Sequence, residues 1–138
     1  MADAKEDRLR GLRLFNKAER NAIEHLSSAA DEVSVSAGQT LIEQGRHHHE
    51  LYVIESGTAT VLVDGTEVAE IPAGEMLGEL GFFVSEAASA TVKAKTDMEL
   101  LVIPYNRFNQ ILDDNPRLVR EIAVELAYRL YAMDEKLN

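Results

Sequence analysis

The chain has 138 residues, no cysteine, and 14 Lys plus Arg against 24 Asp plus Glu, a formal net charge of −10. That length suits one domain with a core of its own, the lack of thiols excludes disulfide and thiolate chemistry and points to a cytoplasmic setting, and an acidic chain with scattered basic residues is a poor match for nucleic acid. No run of 18 apolar residues and no basic leader before an apolar stretch occurs, so neither a membrane span nor a secretory signal is expected.

From the N-terminus, Leu9, Leu12 and Phe15 recur at every third position with Leu14 beside them, predicting a short amphipathic turn or helix around residues 6–15. Asn16 is then a candidate cap for a helix that begins at Lys17, buries Ala18, Ala22, Ile23 and Leu26, and ends near Ser27 and Ser28. After Asp31 the period shortens to two. Val33 and Val35 alternate with polar residues, Leu41-Ile42 opens a second strand, and Leu51–Ile54 and Thr58–Val63 follow. Asp64-Gly65 is the strongest hairpin signal and leads into Glu67–Ile71. Glycines at 38, 45, 57, 65, 74 and 78 punctuate these strands at the pace of an antiparallel barrel or jelly roll, and no long helix separates them as in an α/β protein.

Residues 74–92 read as two strand-like segments separated by a crossing of small residues. Within it Glu79 is a lone carboxylate among Leu77, Gly78, Leu80 and Gly81, and such a charge needs a partner or hydrogen bonds to be kept in apolar surroundings. Ser85–Ala90 supplies short side chains that leave backbone N–H groups accessible, which can cradle an anion. A small-molecule pocket and a tight structural corner are both consistent with this pattern. Ala88–Ala94 and Glu99–Ile103 then predict the closing strands, with Pro104 as the stop. Asn106–Leu112 reads as a short helix presenting Phe108, Ile111 and Leu112. Asn115-Pro116 opens the last one, with Asn115 as cap and Pro116 in the first turn. Its apolar stripe, Leu118, Ile122, Leu126, Leu130, Met133 and Leu137, is long for a helix that covers only its own domain, and a homodimer through that stripe is expected.

The segments Ala37-Gly38-Gln39, Leu51-Tyr52-Val53-Ile54-Glu55-Ser56-Gly57, Pro72-Ala73-Gly74-Glu75 and Leu77-Gly78-Glu79-Leu80-Gly81-Phe82-Phe83, in this order, resemble the cyclic nucleotide-binding domain. The likeness covers about residues 12–135 of a single domain spanning 1–138, with neither a DNA-binding nor a catalytic domain expected beside it. It implies a mainly β fold, an eight-stranded antiparallel jelly roll (a double-stranded β-helix) with an N-terminal helix and two C-terminal helices.

The resemblance further implies that residues 78–90 form a phosphate-binding cassette. Glu79 would meet the ribose 2′-hydroxyl, backbone amides of a helical turn over Phe82–Ser89 would meet the cyclic phosphate, and an arginine at the start of the next strand would pair with that phosphate. Here Ser89, Ala90, Thr91 and Val92 match the end of the pattern, and Ala88 stands at the arginine position. Lys93 and Lys95 are the nearby cations, and alternation along the strand turns them away from position 88 toward solvent.

The ligand pocket implied by the resemblance therefore comprises Gly78, Glu79, Leu80, Gly81, Ala88, Ser89 and Ala90, with cyclic AMP or cyclic GMP bound weakly or not at all. The alternative is a functional cyclic AMP-binding protein that relies on Glu79 and the backbone amides. Either way a non-enzymatic regulatory or sensor module is expected, acting through a second copy or another protein partner. No base is placed by spacing against Ser85 or Ser89. His47, His48 and His49 stand where the resembled family has a solvent-facing turn, and three consecutive residues in an extended segment cannot all face one metal ion; a surface loop is expected, with a metal site completed by Glu43 or Glu50 and a pH-responsive contact as the alternatives. Tyr128 on the last helix is the candidate to approach a bound base.

Overall fold

A computed structural model describes residues 4–137, with side chains as far as residue 134. Two helices come first, α1 (Ala4–Arg10) and α2 (Arg20–Ala29). The strands are β1 (Asp31–Val35), β2 (Thr40–Ile42), β3 (Glu50–Ser56), β4 (Ala59–Val63), β5 (Thr66–Ile71), β6 (Met76–Leu77), β7 (Thr91–Ala94) and β8 (Met98–Pro104). Helix α3 (Glu79–Val84) interrupts them, and α4 (Tyr105–Asp114) and α5 (Pro116–Leu137) close the chain. The strands form two antiparallel four-stranded sheets, ordered β1-β8-β3-β6 and β2-β7-β4-β5. The eight-stranded jelly roll with flanking helices is thus present.

Two apolar clusters explain why β8 is apolar almost without interruption. Met98, Leu100 and Val102 face the interior between the sheets, where they join Val35, Ile42, Ile54, Leu77 and Val92. Leu101 and Ile103 point the other way and pack with Leu51 and Val53 against a helical layer built on Phe15, Ile23, Leu26, Phe108 and Leu118. Alternating side chains thereby serve two cores, and each buried Leu, Ile or Phe contributes about 1.5–3 kcal/mol. β5, by contrast, is an edge strand on the far sheet with no buried residue. Asp64 and Gly65 both take positive φ, 51° and 81°, which suits the two-residue hairpin joining β4 to β5.

Several boundaries differ from the sequence expectation. α1 ends at Arg10, and residues 11–17 form successive turns closed by Phe15 N–H to Leu12 O and Ala18 N–H to Phe15 O. The next helix consequently starts at Arg20 behind Glu19, so Asn16 caps nothing there. The strand expected from Ala88 begins only at Thr91, because the preceding residues are tied to another turn: Gly45 N–H donates to Ala88 O and Ala88 N–H to Arg46 O.

The apolar stripe of α5 divides. Leu118 and Ile122 are buried in the chain's own helical core and Leu126 packs on it, whereas Leu130 and Met133 are 68% and 61% exposed. Leu137 lies outside the described side chains. The first half of that stripe covers the chain's own domain and is not available to a second copy.

Candidate functional site

Gly78 marks the point where β6 turns into α3. Its φ is +92°, and a Cβ there would sit 2.7 Å from the Glu50 carbonyl oxygen, so this corner accepts only glycine. Helix α3 runs just six residues, closed by Phe82 N–H to Gly78 O and Ser85 N–H to Gly81 O, before Ser85 takes a left-handed φ of 61° and ends it. The helical turn anticipated over Phe82–Ser89 lies instead at Glu79–Val84 because the glycine starts it there. Phe82 holds it down, with ring centroids 4.8 Å from Phe108 and 5.2 Å from Tyr105 in edge-to-face arrangements.

Beneath this corner, the barrel mouth encloses a cavity of about 340 Å³. Gly78, Glu79, Leu80, Gly81, Ala88, Ser89 and Ala90 all line it, so all seven positions singled out in the sequence meet at one space. Its floor is Ile42, Val61, Ile71 and Val92, inward-facing side chains of the strands. Glu79 and Glu86 bring carboxylates to the wall, and among the described residues no lysine or arginine lines it. Lys93 and Lys95 are exposed, Lys95 pairing with Glu70 on β5. Not every cassette amide is available: those of Phe82, Ser85 and Ala88 already donate to protein carbonyls.

Glu79 has a partner that the sequence did not disclose. Arg129 of α5 places a guanidinium nitrogen 3.5 Å from the Glu79 carboxylate and also lies 3.6 Å from Glu125. Burial pushes the Glu79 carboxyl above the usual range, its own backbone amide and Arg129 pull it back, and Glu75 pushes it up further. A folded-state pKa raised above the unfolded value means that ionisation opposes folding. The contribution is present below about pH 4.5 and is lost as pH rises through the higher folded value. Glu79→Gln should therefore melt at a higher temperature than the parent at pH 7, with the difference closing as pH falls to 4.5 and below; thermal melts across pH 4–8 measure it.

The histidine triplet also departs from the expected solvent-facing turn. His47 and His49 are exposed, but His48 is half-buried at the cavity wall, where the Gly78 and Gly81 backbone leaves room for it. The Tyr105 hydroxyl donates to the Gly78 carbonyl and lies 3.1 Å from His48 Nδ1. His48 Nε2 is the atom that a Cβ at Gly81 would meet at 2.8 Å. Burial lowers the His48 pKa, opposed by the Glu50 backbone and reinforced by His49 and His47, while burial pushes the Tyr105 hydroxyl up to about 12. Nothing in the spacing of the triplet distinguishes His48 from its neighbours, since its partner lies on α4, 57 residues away. Among the described residues, no three His, Cys, Asp or Glu side chains converge as a metal site.

Tyr128 does not approach this cavity. It lines a separate groove between α5 and the turns at residues 11–17, and the residue of α5 that reaches the cassette is Arg129. No described helix is long and apolar enough to cross a membrane.

The family model described as "Cyclic nucleotide-binding domain" matches residues 32–115. The "cAMP-activated global transcriptional regulator CRP" of Escherichia coli is 36% identical over 105 residues, covering 72% of this chain and 50% of that protein. The chain thus spans about half the length of such curated relatives. Among solved structures, the N-terminal domain of a transcriptional regulator from Streptomyces coelicolor A3(2) superposes with a TM-score of 0.78 at 27% identity, covering 94% of each chain. The regulatory domain of Toxoplasma gondii PKA, solved with cAMP, gives 0.73 at 28% identity over 83% of this chain and 47% of that one. With its two four-stranded sheets, its glycine-started α3 and a family match across most of its length, the chain belongs to the cyclic nucleotide-binding domain family.

Proposed function

We propose that this chain is a non-enzymatic regulatory module, a single domain over 1–138, whose cavity takes cyclic AMP or cyclic GMP weakly or not at all. The observation that carries this reading is the charge of the cavity wall, which among the described residues has Glu79 and Glu86 and neither lysine nor arginine. Ala88 stands where the family pattern has an arginine. A cyclic phosphate entering there loses a charge-assisted contact of about 1.5–3 kcal/mol and meets the Glu86 carboxylate, while Glu79 is already paired with Arg129. Calorimetric titration of the chain with either nucleotide tests it: the expected dissociation constant is weaker than about 10 μM, and one of a few micromolar or tighter overturns the reading.

One observation favours the second reading, a functional cyclic AMP-binding protein using Glu79 and free backbone amides. The space beside Glu79 is open, and among the described residues no side chain has collapsed into it. Saturable binding in the same titration at low micromolar concentration selects that reading.

The module acts in the cytoplasm on a second copy of itself or on a protein partner, without nucleic acid. The exposed second half of α5, with Leu130 and Met133, supplies the apolar surface for a homodimer. Replacing both by Asp should shift the protein to monomer in light scattering after size exclusion without lowering its melting temperature by more than a few degrees. An unchanged mass removes that interface.

A further inference from the structure

The groove that takes Tyr128 is larger than the barrel cavity, about 510 Å³, a size typical of small-molecule sites. One bank is the run of turns after α1, the other is α5. Four of the chain's 14 lysines and arginines converge on it, Arg13 and Lys17 from the turns and Arg117 and Arg120 from the helix. In a chain of net charge −10, this is a local reversal of sign. The two carboxylates in the groove do not cancel it. Glu121 is held 3.3 Å from Arg117, which also bonds Glu19 at 2.8 Å, and Glu125 is engaged by Arg129 from outside the groove. Arg13, Lys17 and Arg120 form no ion pair among the described residues. Exposed Val124 and Tyr128 add apolar surface beside these cations.

The geometry points to a second ligand site here, for a small, multiply anionic molecule carrying phosphate or carboxylate groups beside a flat apolar part. Arginines at both banks offer planar, two-pronged donors suited to such groups. The phenol of Tyr128 and the Val124 side chain offer a surface for the apolar part. Arg117, Glu121, Val124 and Tyr128 recur at spacings of four, three and four, a different face of α5 from Leu118, Ile122, Leu126, Leu130 and Met133. Occupying the groove would join α5 to the N-terminal segment while leaving the exposed Leu130 and Met133 uncovered.

Magnesium-free ATP, pyrophosphate and adenosine serve as probes in calorimetric titrations of the full chain at low salt. ATP is expected to saturate with a dissociation constant of about 100 μM or tighter, pyrophosphate to bind several-fold more weakly, and adenosine not at all. The double variant Arg13→Ala/Arg120→Ala, which alters one cation on each bank at positions outside the apolar core, should weaken ATP at least tenfold. Tyr128→Ala should weaken ATP several-fold and leave pyrophosphate unchanged. The site is overturned by the absence of saturable ATP binding, by binding that survives the double variant in a protein with unchanged melting temperature, or by equal affinity for adenosine. An acidic heptapeptide of glutamates that binds more tightly than ATP overturns the small-molecule assignment.

Discussion

Ala88→Arg should raise the affinity for cyclic AMP or cyclic GMP at least tenfold, and more if the parent binds neither measurably. Ala88 is half-buried on the cavity wall beside exposed Ser89, with the left-handed corner at Ser85 and the start of β7 on either side. A guanidinium introduced there enters a space lined, among the described residues, by no lysine or arginine and by the Glu86 carboxylate beside an Arg129-paired Glu79, so part of its effect is to offset Glu86 and part is a charge-assisted contact with phosphate. At about 1.5–3 kcal/mol for that contact, the gain is roughly one to two orders of magnitude in dissociation constant. The backbone of position 88 is pinned at both its N–H and its carbonyl to the Gly45-Arg46 turn, which keeps the segment in place when the side chain changes. Titration of parent and variant under one buffer measures the gain. Unchanged affinity in a variant with unchanged melting temperature would falsify the idea that the missing cation is what limits binding.

Gly78→Ala should be the most damaging single methyl group in the site. Its φ of +92° costs an alanine about 1–2 kcal/mol, and the Cβ must displace the Glu50 carbonyl, a backbone atom of β3 that cannot swing away, for about 1–3 kcal/mol more. Gly38 provides the internal comparison, because it has the same φ of +92° with nothing within 4 Å of its Cβ position. Gly38→Ala should therefore lose about 1–2 kcal/mol and Gly78→Ala about 2–5 kcal/mol in chemical denaturation. Equal losses at the two positions would show that the close approach to β3 contributes nothing.

These two sites also show how far the sequence could be read. The glycines and the lone carboxylate mark a pocket or a tight corner, because glycine in an apolar run and an acid without local partners are both constraints that a chain keeps only for a reason, and the family resemblance makes that corner a cassette. The strands were legible through their period of two and the Asp64-Gly65 turn. What stayed hidden came from pairs distant in sequence. Arg129 reaches Glu79 across 50 residues, and Tyr105 selects His48 from three adjacent histidines. The start of β7 was misplaced because Ala88 bonds to the Gly45-Arg46 turn rather than to a neighbouring strand, a choice invisible in small residues that suit either. The stripe of α5 kept its period past the end of the domain's own core, so periodicity alone could not divide it.

The bare outer strand of the second sheet bears on the chain's behaviour at high concentration. β5 offers an unpaired backbone edge, the kind of template on which a strand from a neighbouring molecule can add. Glu67 stands along it beside Glu70, which Lys95 pairs, and two such edges brought together would juxtapose the Glu67 carboxylates, which opposes edge-to-edge addition. High salt screens that repulsion while leaving exposed Val68 on the same strand, so screening conditions are those in which the protein is least protected from stacking into fibrous aggregates.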